Sequence, residues 1–295
     1  MGTLTRGFTK TSFGGQIHYA TEGKGEAIVL IPQNPRSWRA NAPLMRELSK
    51  SHQVIALDLP GFGDSTLLKE PYSIEDFAHC VKDLLDGLGI KKASIFGRHT
   101  GALVAGEIGA AYPDRVHCLF FSGYPFILNE KERADLLKSS RAPIGTPGGR
   151  AITVADASGS HLTKLWHRAS TRLWEAKGTV PTLTMSEDDI TFVEDLMMDS
   201  LRTRRTVSAS FEAAFSYNAQ KRLPLIKAPT LLLWPKNSKY ELGIAQRAPE
   251  AKPFIKGAKM IAIENEDVYT QYWRPKEMSG PMLKFLKDPK GFKGE

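Results

Sequence analysis

The sequence predicts an α/β protein with a mostly parallel central sheet flanked by helices and interrupted by a helical cap insertion. Three observations carry this. Short apolar runs alternate with stretches of helical spacing through residue 124. The alternation resumes after residue 225, and residues 125–225 between them hold no clear strand signature. Strands separated by helices need long crossover connections, which lay the strands parallel and cover both faces of the sheet.

The first element is a hairpin: Phe8 to Phe13 and Gln16 to Thr21 are strand-like runs around Gly14-Gly15. Ala27 to Ile31 is a compact apolar run, then comes a loop rich in Pro, Asn and Arg, and Trp38 to Leu48 has helical spacing. Val54 to Leu57 reads as a buried strand ended by the turn Asp58-Leu59-Pro60-Gly61-Phe62-Gly63. Ile74 to Leu88 sets Phe77, Val81, Leu84, Leu85 and Leu88 on one helical side. Ala93 to Phe96 is a strand, Gly101 to Ala111 a helix of small residues, and Val116 to Phe121 another strand. Inside the insertion, Arg141 to Gly149 reads as a Pro/Gly-rich loop, and Asp188 to Leu201 and Ser208 to Tyr217 as helices. Thr230 to Trp234 and Met260 to Ile263 return to strand, and Pro275 to Leu286 closes the chain as a helix. The domain division is therefore 1–124 and 226–295 for the core and 125–225 for the cap. A cap at this point is expected over the carboxyl ends of the strands, where open parallel sheets bind ligands.

Composition narrows the partners. A chain of 295 residues buries a large core without staples. The net charge of +8 raises nucleic acid as a partner, but the basic residues are spread along the chain. Their one modest gathering (Lys284, Lys287, Lys290, Lys293) has no interleaved aromatics of the kind that stack on bases, so nucleic acid is not expected. Cys80 and Cys118 fall in a helix and a strand, as small core residues, and imply no disulfide. No apolar run approaches a membrane span and the N-terminus lacks a signal core, so the expectation is a cytoplasmic protein with no membrane partner. A homodimer is left open.

The most informative segment is Ser94-Ile95-Phe96-Gly97-Arg98-His99-Thr100-Gly101-Ala102: an apolar strand, then Gly-x-His-x-Gly, then a helix of small residues. It has the shape of a nucleophile elbow, Gly-x-Ser-x-Gly, with His99 in the nucleophile position. With that segment the chain resembles the α/β-hydrolase fold superfamily, most of all the capped branch of epoxide hydrolases, haloalkane dehalogenases and C–C bond hydrolases. Val29 to Arg39 (VLIPQNPRSWR) is similar to that family's V-L-L-H-G-x-P-x-S-W-R loop. Its His-Gly pair is Pro32-Gln33 here, and Asn34 falls where an oxyanion-hole N–H is usual. Asp58 to Ser65 (DLPGFGDS) matches the family's next loop. The resemblance covers 1–124 and 226–295 well and the cap poorly.

Hydrolysis in that family implies a nucleophile, a His base and an acid that orients it. The acid position, after Trp234, is Ser238, and the His position, counted back from Pro275, is Val268. No histidine lies beyond His167 to fill the role. All three positions are altered together, and the neighbouring Ser122 and Cys118 have no evident base. His99 remains: the elbow aims it into the pocket, and the positive end of the following helix favours an uncharged imidazole that can act as base or donor. Glu264, Glu266 and Asp267 cluster after the last strand. The catalytic candidates are His99 with Asp267 or Glu266 as its orienting carboxylate, an inverted dyad. The backbone N–H groups of Asn34 and Thr100 are the oxyanion candidates. Gln33, Trp38, Arg98, Tyr124, His161, Trp166 and Tyr217 are the substrate-contact candidates. No ligand-spaced motif implies a metal, and no cofactor is expected.

Three functions fit these residues. The first is an enzyme doing non-hydrolytic acid/base chemistry on a small carbonyl compound: cyclisation, isomerisation, elimination or C–C cleavage, as in a biosynthetic step. The second is an ester, lactone or C–C hydrolase with an unusual nucleophile or an activated water. The third is a small-molecule-binding protein that kept the pocket and lost the chemistry.

Overall fold

A computed structural model describes residues 3–140, 156–177, 184–203, 207–236, 238, 243–264 and 269–294. Eight strands form one sheet: β1 (Thr5–Lys10), β2 (Gln16–Glu22), β3 (Ala27–Ile31), β4 (Gln53–Leu57), β5 (Ala93–Arg98), β6 (Val116–Ser122), β7 (Thr230–Lys236) and β8 (Lys259–Glu264). Their spatial order is β1-β2-β4-β3-β5-β6-β7-β8. β1 and β2 pair antiparallel, as does β2 with β4, and every other neighbouring pair is parallel. The hairpin begins earlier than its sequence suggests. Lys10 opposite Gln16 is the last pair, so Phe13 lies in the turn and is 51% exposed.

β3 lies between β4 and β5. The chain leaves β3 toward β4 on one side, then crosses back to β5 on the other. The loops after β3 and β5 therefore diverge and open a crevice at their carboxyl ends, the usual ligand site of such sheets. Helices cover both faces of the sheet, so every residue of β3 and β5 is buried.

α1 (Ala42–Leu48) follows a 3-10 turn that starts at Trp38, and α2 (Ile74–Gly87) buries Ile74, Phe77, Val81, Leu84 and Leu85. A capping box fixes the start of α2. Ser73 Oγ accepts from the Asp76 N–H at 3.2 Å, and the Asp76 carboxylate accepts from the Ser73 N–H at 2.8 Å. α3 (Thr100–Ala111) leaves β5 directly and is buried along almost its whole length.

Between β6 and β7 the described residues form α4 (Glu130–Ser140), α5 (Ser160–Lys177), α6 (Glu187–Thr203), α7 (Val207–Ser216) and α8 (Ala219–Arg222), and no strand. The Pro/Gly-rich stretch expected as a loop at Arg141 to Gly149 lies outside the described residues. α5 and α6 share a small core of Ala169, Leu173, Phe192, Val193 and Leu196, closed from below by Tyr269. After β7 come α9 (Ala248–Ala251), α10 (Thr270–Trp273) and α11 (Pro275–Lys287).

One buried carboxylate joins the loops beneath the crevice. Asp58 accepts from the Trp38 N–H at 2.6 Å, from the Asp64 N–H at 3.0 Å, and lies 2.8 Å from His18 Nδ1. The loop after β4 is thereby tied to the loop after β3, which accounts for the motif Asp58 to Ser65 as architecture.

Candidate active site

The strand-to-helix turn at His99 has the geometry of an elbow. His99 caps α3 with φ 46° and ψ −115°, and among the described residues it is the one non-glycine with positive φ. A side chain costs energy in that conformation, so it persists only where the surroundings enforce it. The flanking glycines are required by contact. A Cβ on Gly97 would stand 2.0 Å from the Gly101 carbonyl oxygen, and one on Gly101 would stand 2.4 Å from that of Ile31. The His99 N–H donates to the Ser122 carbonyl at 3.1 Å, and its imidazole lies over Gly123, where a Cβ would come within 2.7 Å of Cδ2.

Above His99 lies a cavity of about 150 Å³ between sheet and cap. Its floor is Gln33, Asn34, Pro35 and Arg36 from the loop after β3, with His99, Thr100, Pro125, Ile244 and Tyr269. Its roof is Leu165, Arg168, Ala169 and Arg172 of α5, Leu196 and Ser200 of α6, and Val207, Phe211, Ala214 and Phe215 of α7. Asn34 is 8% exposed, and neither its amide oxygen nor its amide nitrogen has a hydrogen-bond partner among the described residues. Gln33 is held by Gln271, whose Nε2 donates to Gln33 Oε1 at 3.2 Å. Thr100 is the first residue of α3, where backbone N–H groups lack an acceptor within the helix.

Of the residues singled out from sequence, Gln33, Asn34, His99 and Thr100 meet at this cavity. Six others do not line it. Trp38 starts a 3-10 turn held by Asp58 and turns into the core against α1. Arg98 is fully buried and donates to Ser122 Oγ, because it is the last strand residue and faces away from the elbow. Tyr124 packs on Phe121 beneath α3, with ring centroids 5.0 Å apart. The Tyr217 hydroxyl donates to Glu107 Oε2 at 2.9 Å. Trp166 is 41% exposed on the outer side of α5, and His161 sits at the start of α5 beside Asp156, whose N–H points at His161 Nδ1 at 3.4 Å. Glu266 and Asp267 lie outside the described residues. Glu264 ends β8 on the surface, 3.6 Å from Lys236 Nζ, and does not line the cavity.

The neighbouring nucleophile candidates are also accounted for. Ser122 is buried and accepts from Arg98. Cys118 is buried, and burial first of all pushes its thiol up to about 11, so no thiolate is available near neutral pH. His18, Asp58 and Asp64 come close enough to suggest a cation site. Their atoms are already engaged: Arg6 donates to His18 Nε2 at 3.0 Å and to Asp64 at 2.7 Å, and Arg202 takes the other Asp64 oxygen at 2.7 Å.

Arg36, Arg168, Arg172 and Tyr269 were not singled out from sequence. The two α5 arginines had a readable signal. Leu165, Arg168, Ala169 and Arg172 fall on one helical face, and the arginines occupy positions where a core-facing stripe calls for apolar residues. Tyr269 follows Val268, the position of the family histidine, by one residue. Arg36 donates to the Tyr269 hydroxyl at 3.0 Å and stands over its ring at 5.8 Å.

The elbow, the crevice at the strand ends and the inserted helices together define an α/β-hydrolase fold. The chain belongs to the α/β hydrolase fold family, whose model matches residues 26–240. Among curated proteins it is similar to human epoxide hydrolase 4, 31% identical over 42% of this chain and 37% of that protein. It is also similar to (E)-2-((N-methylformamido)methylene)succinate hydrolase of Acinetobacter baylyi (27%, over 50% and 60%) and to haloalkane dehalogenase of Agrobacterium fabrum (27%, over 56% and 54%). The chain thus spans less than two thirds of the length of each. Among solved structures, a Pseudomonas aeruginosa hydrolase superposes with TM-score 0.73 at 18% identity, over 96% of this chain and 98% of that one. The Burkholderia xenovorans enol-lactonase gives 0.71 at 20%, over 96% and 100%. Among the described residues no helix is long and apolar enough to cross a membrane.

Proposed function

We propose that this protein is an enzyme that moves a proton on a small carbonyl compound held beneath the cap, with His99 taking and returning it. The observation that carries the reading is the presentation of His99 from a positive-φ elbow onto the cavity beneath the cap, beside Asn34 and Thr100. A carbonyl oxygen lodged against the backbone N–H groups of Thr100 and Asn34 would be stabilised as negative charge develops on it. The His99 imidazole would take the proton from the adjacent carbon, leaving an enolate, and the imidazolium would return it. Return to the same carbon gives exchange, return elsewhere gives isomerisation, and expulsion of a leaving group from the neighbouring carbon gives elimination. Where His99 instead takes the proton of a β-hydroxyl, the C–C bond breaks and its electrons form the enolate, which the imidazolium then protonates. In this reading the cap excludes water and strengthens the charge stabilisation.

The hydrolases among the relatives favour a second reading, in which His99 deprotonates a water that attacks an ester, lactone or activated carbonyl carbon. Two measurements separate the readings. Small enolisable ketones and keto acids are incubated with the enzyme in D₂O, and deuterium entry next to the carbonyl is followed by NMR. Proton transfer by His99 predicts enzyme-dependent exchange that His99→Ala slows by about 10²–10⁴-fold. Undiminished exchange by H99A sinks the proposal. Turnover in H₂¹⁸O that labels the product would instead assign the hydrolytic reading.

A further inference from the structure

We infer that the cavity is built for a substrate bearing a carboxylate, which Arg168 of the cap receives between Arg36 and Arg172. The inference rests on the reading of this cavity as a substrate site and extends it to the substrate's charge.

Arg36, Arg168 and Arg172 all line the cavity, and among the described residues that line it there is no Asp or Glu. Two of the three are partly engaged. Arg36 donates to Tyr269, and Arg172 pairs with Glu175 of its own helix at 2.6 Å. Arg168 has no hydrogen bond or ion pair among the described residues. Arg168 is an exposed residue of α5, and it lines the cavity. Burial first, then the charges of Arg36 and Arg172, pull its guanidinium below its ordinary value. A cation with two like charges beside it is a costly arrangement that an anion offsets. Asn34 supplies a second, independent sign: a buried amide on the same cavity with both ends unmatched. A polar group left in that state costs stability unless a ligand satisfies it.

The rest of the wall selects the body of the molecule. Leu165, Leu196, Val207, Phe211 and Phe215 make the roof around the arginines apolar. The volume of about 150 Å³ has room for roughly ten non-hydrogen atoms. The substrate class is therefore a compact acid with an apolar body, its carboxylate at the α5 arginines and its carbonyl at His99. A guanidinium fork matches a planar carboxylate in two parallel hydrogen bonds, which a neutral ester cannot reproduce.

The test uses binding alone, so it stands or falls apart from the proposed chemistry. Titration calorimetry at pH 7 compares 4-methyl-2-oxopentanoate, phenylpyruvate and benzoylformate with their methyl esters on the whole protein, with inorganic phosphate as a further probe. The expected result is that at least one acid binds wild type about tenfold or more tighter than its ester. Arg168→Met should remove that preference, a loss of about 10–100-fold on the acid, while leaving the ester unchanged. Arg168→Lys should restore part of it. H99A should keep the preference even where deuterium exchange is lost. Equal binding of acid and ester, no binding of any acid, or preference for phosphate over the acids overturns the inference. The acid–ester comparison on wild type decides the matter even where R168M fails to fold.

Discussion

A backbone conformation that resists a side chain leaves a measurable trace at His99. With φ at 46°, the position suits glycine better than any residue with a Cβ. His99→Gly should therefore be more stable than His99→Ala by about 1 kcal/mol, the reverse of the ordinary order, in urea melts of the two variants. Glu107 carries a second residue-scale asymmetry. It is buried under α3, receives Arg222 at 2.6 Å and 2.7 Å and Tyr217 at 2.9 Å, and so joins the elbow helix to the last cap helix. Arg222 is partly exposed and can return to water if its partner is neutralised, whereas Glu107 cannot. Arg222→Met should accordingly destabilise more than Glu107→Gln, by about 1–3 kcal/mol, read from urea midpoints.

Between elements, the tie from cap to core is sensitive to pH. Asp199 of α6 is buried and accepts the Ser37 N–H at 3.0 Å. Burial above all raises its carboxyl from 3.8 to about 6, with Arg36 opposing. The folded protein thus holds a proton between about pH 4 and 6 that the unfolded chain has released. Stability falls as pH rises through that window and levels off above it, by on the order of 3 kcal/mol. Asp199→Asn should flatten the fall and raise the melting temperature at pH 7 by several degrees, with no gain at pH 4. The core elements were legible because the inner strands β3 to β7 centre on apolar runs and α2 has one clean apolar face. α4 and most of α5 were not. α4 buries only Ser140, so its charged sequence has no stripe to read, and α5 turns part of its inner face to an open cavity rather than to packed side chains.

At the scale of the molecule, the half of the site on the core loops was readable down to its place, and the half on the cap only as arginines interrupting a helical stripe, with no sign of what they face. Gln33, Asn34, His99 and Thr100 sit at fixed offsets from strands β3 and β5, so a local pattern places them. Arg168 and Arg172 reach the same cavity only through the docking of α5 over the sheet, a long-range contact that no spacing within the chain encodes. The aromatic candidates failed for a related reason: Trp38, Tyr124 and Tyr217 flank the crevice in sequence but fill the core beneath it.

The two cysteines make the molecule its own unfolding clock. Cys80 belongs to the core layer on one face of the sheet and Cys118 to the layer on the other, and burial raises the two thiols to about 12 and about 11. Neither sulfur meets a reagent until its layer opens. Alkylation trapped over hours and located by mass spectrometry would time the parting of the two layers separately. Matching rates mean the sheet loses both coverings in one cooperative event, and an early Cys118 means the α1–α11 side peels first.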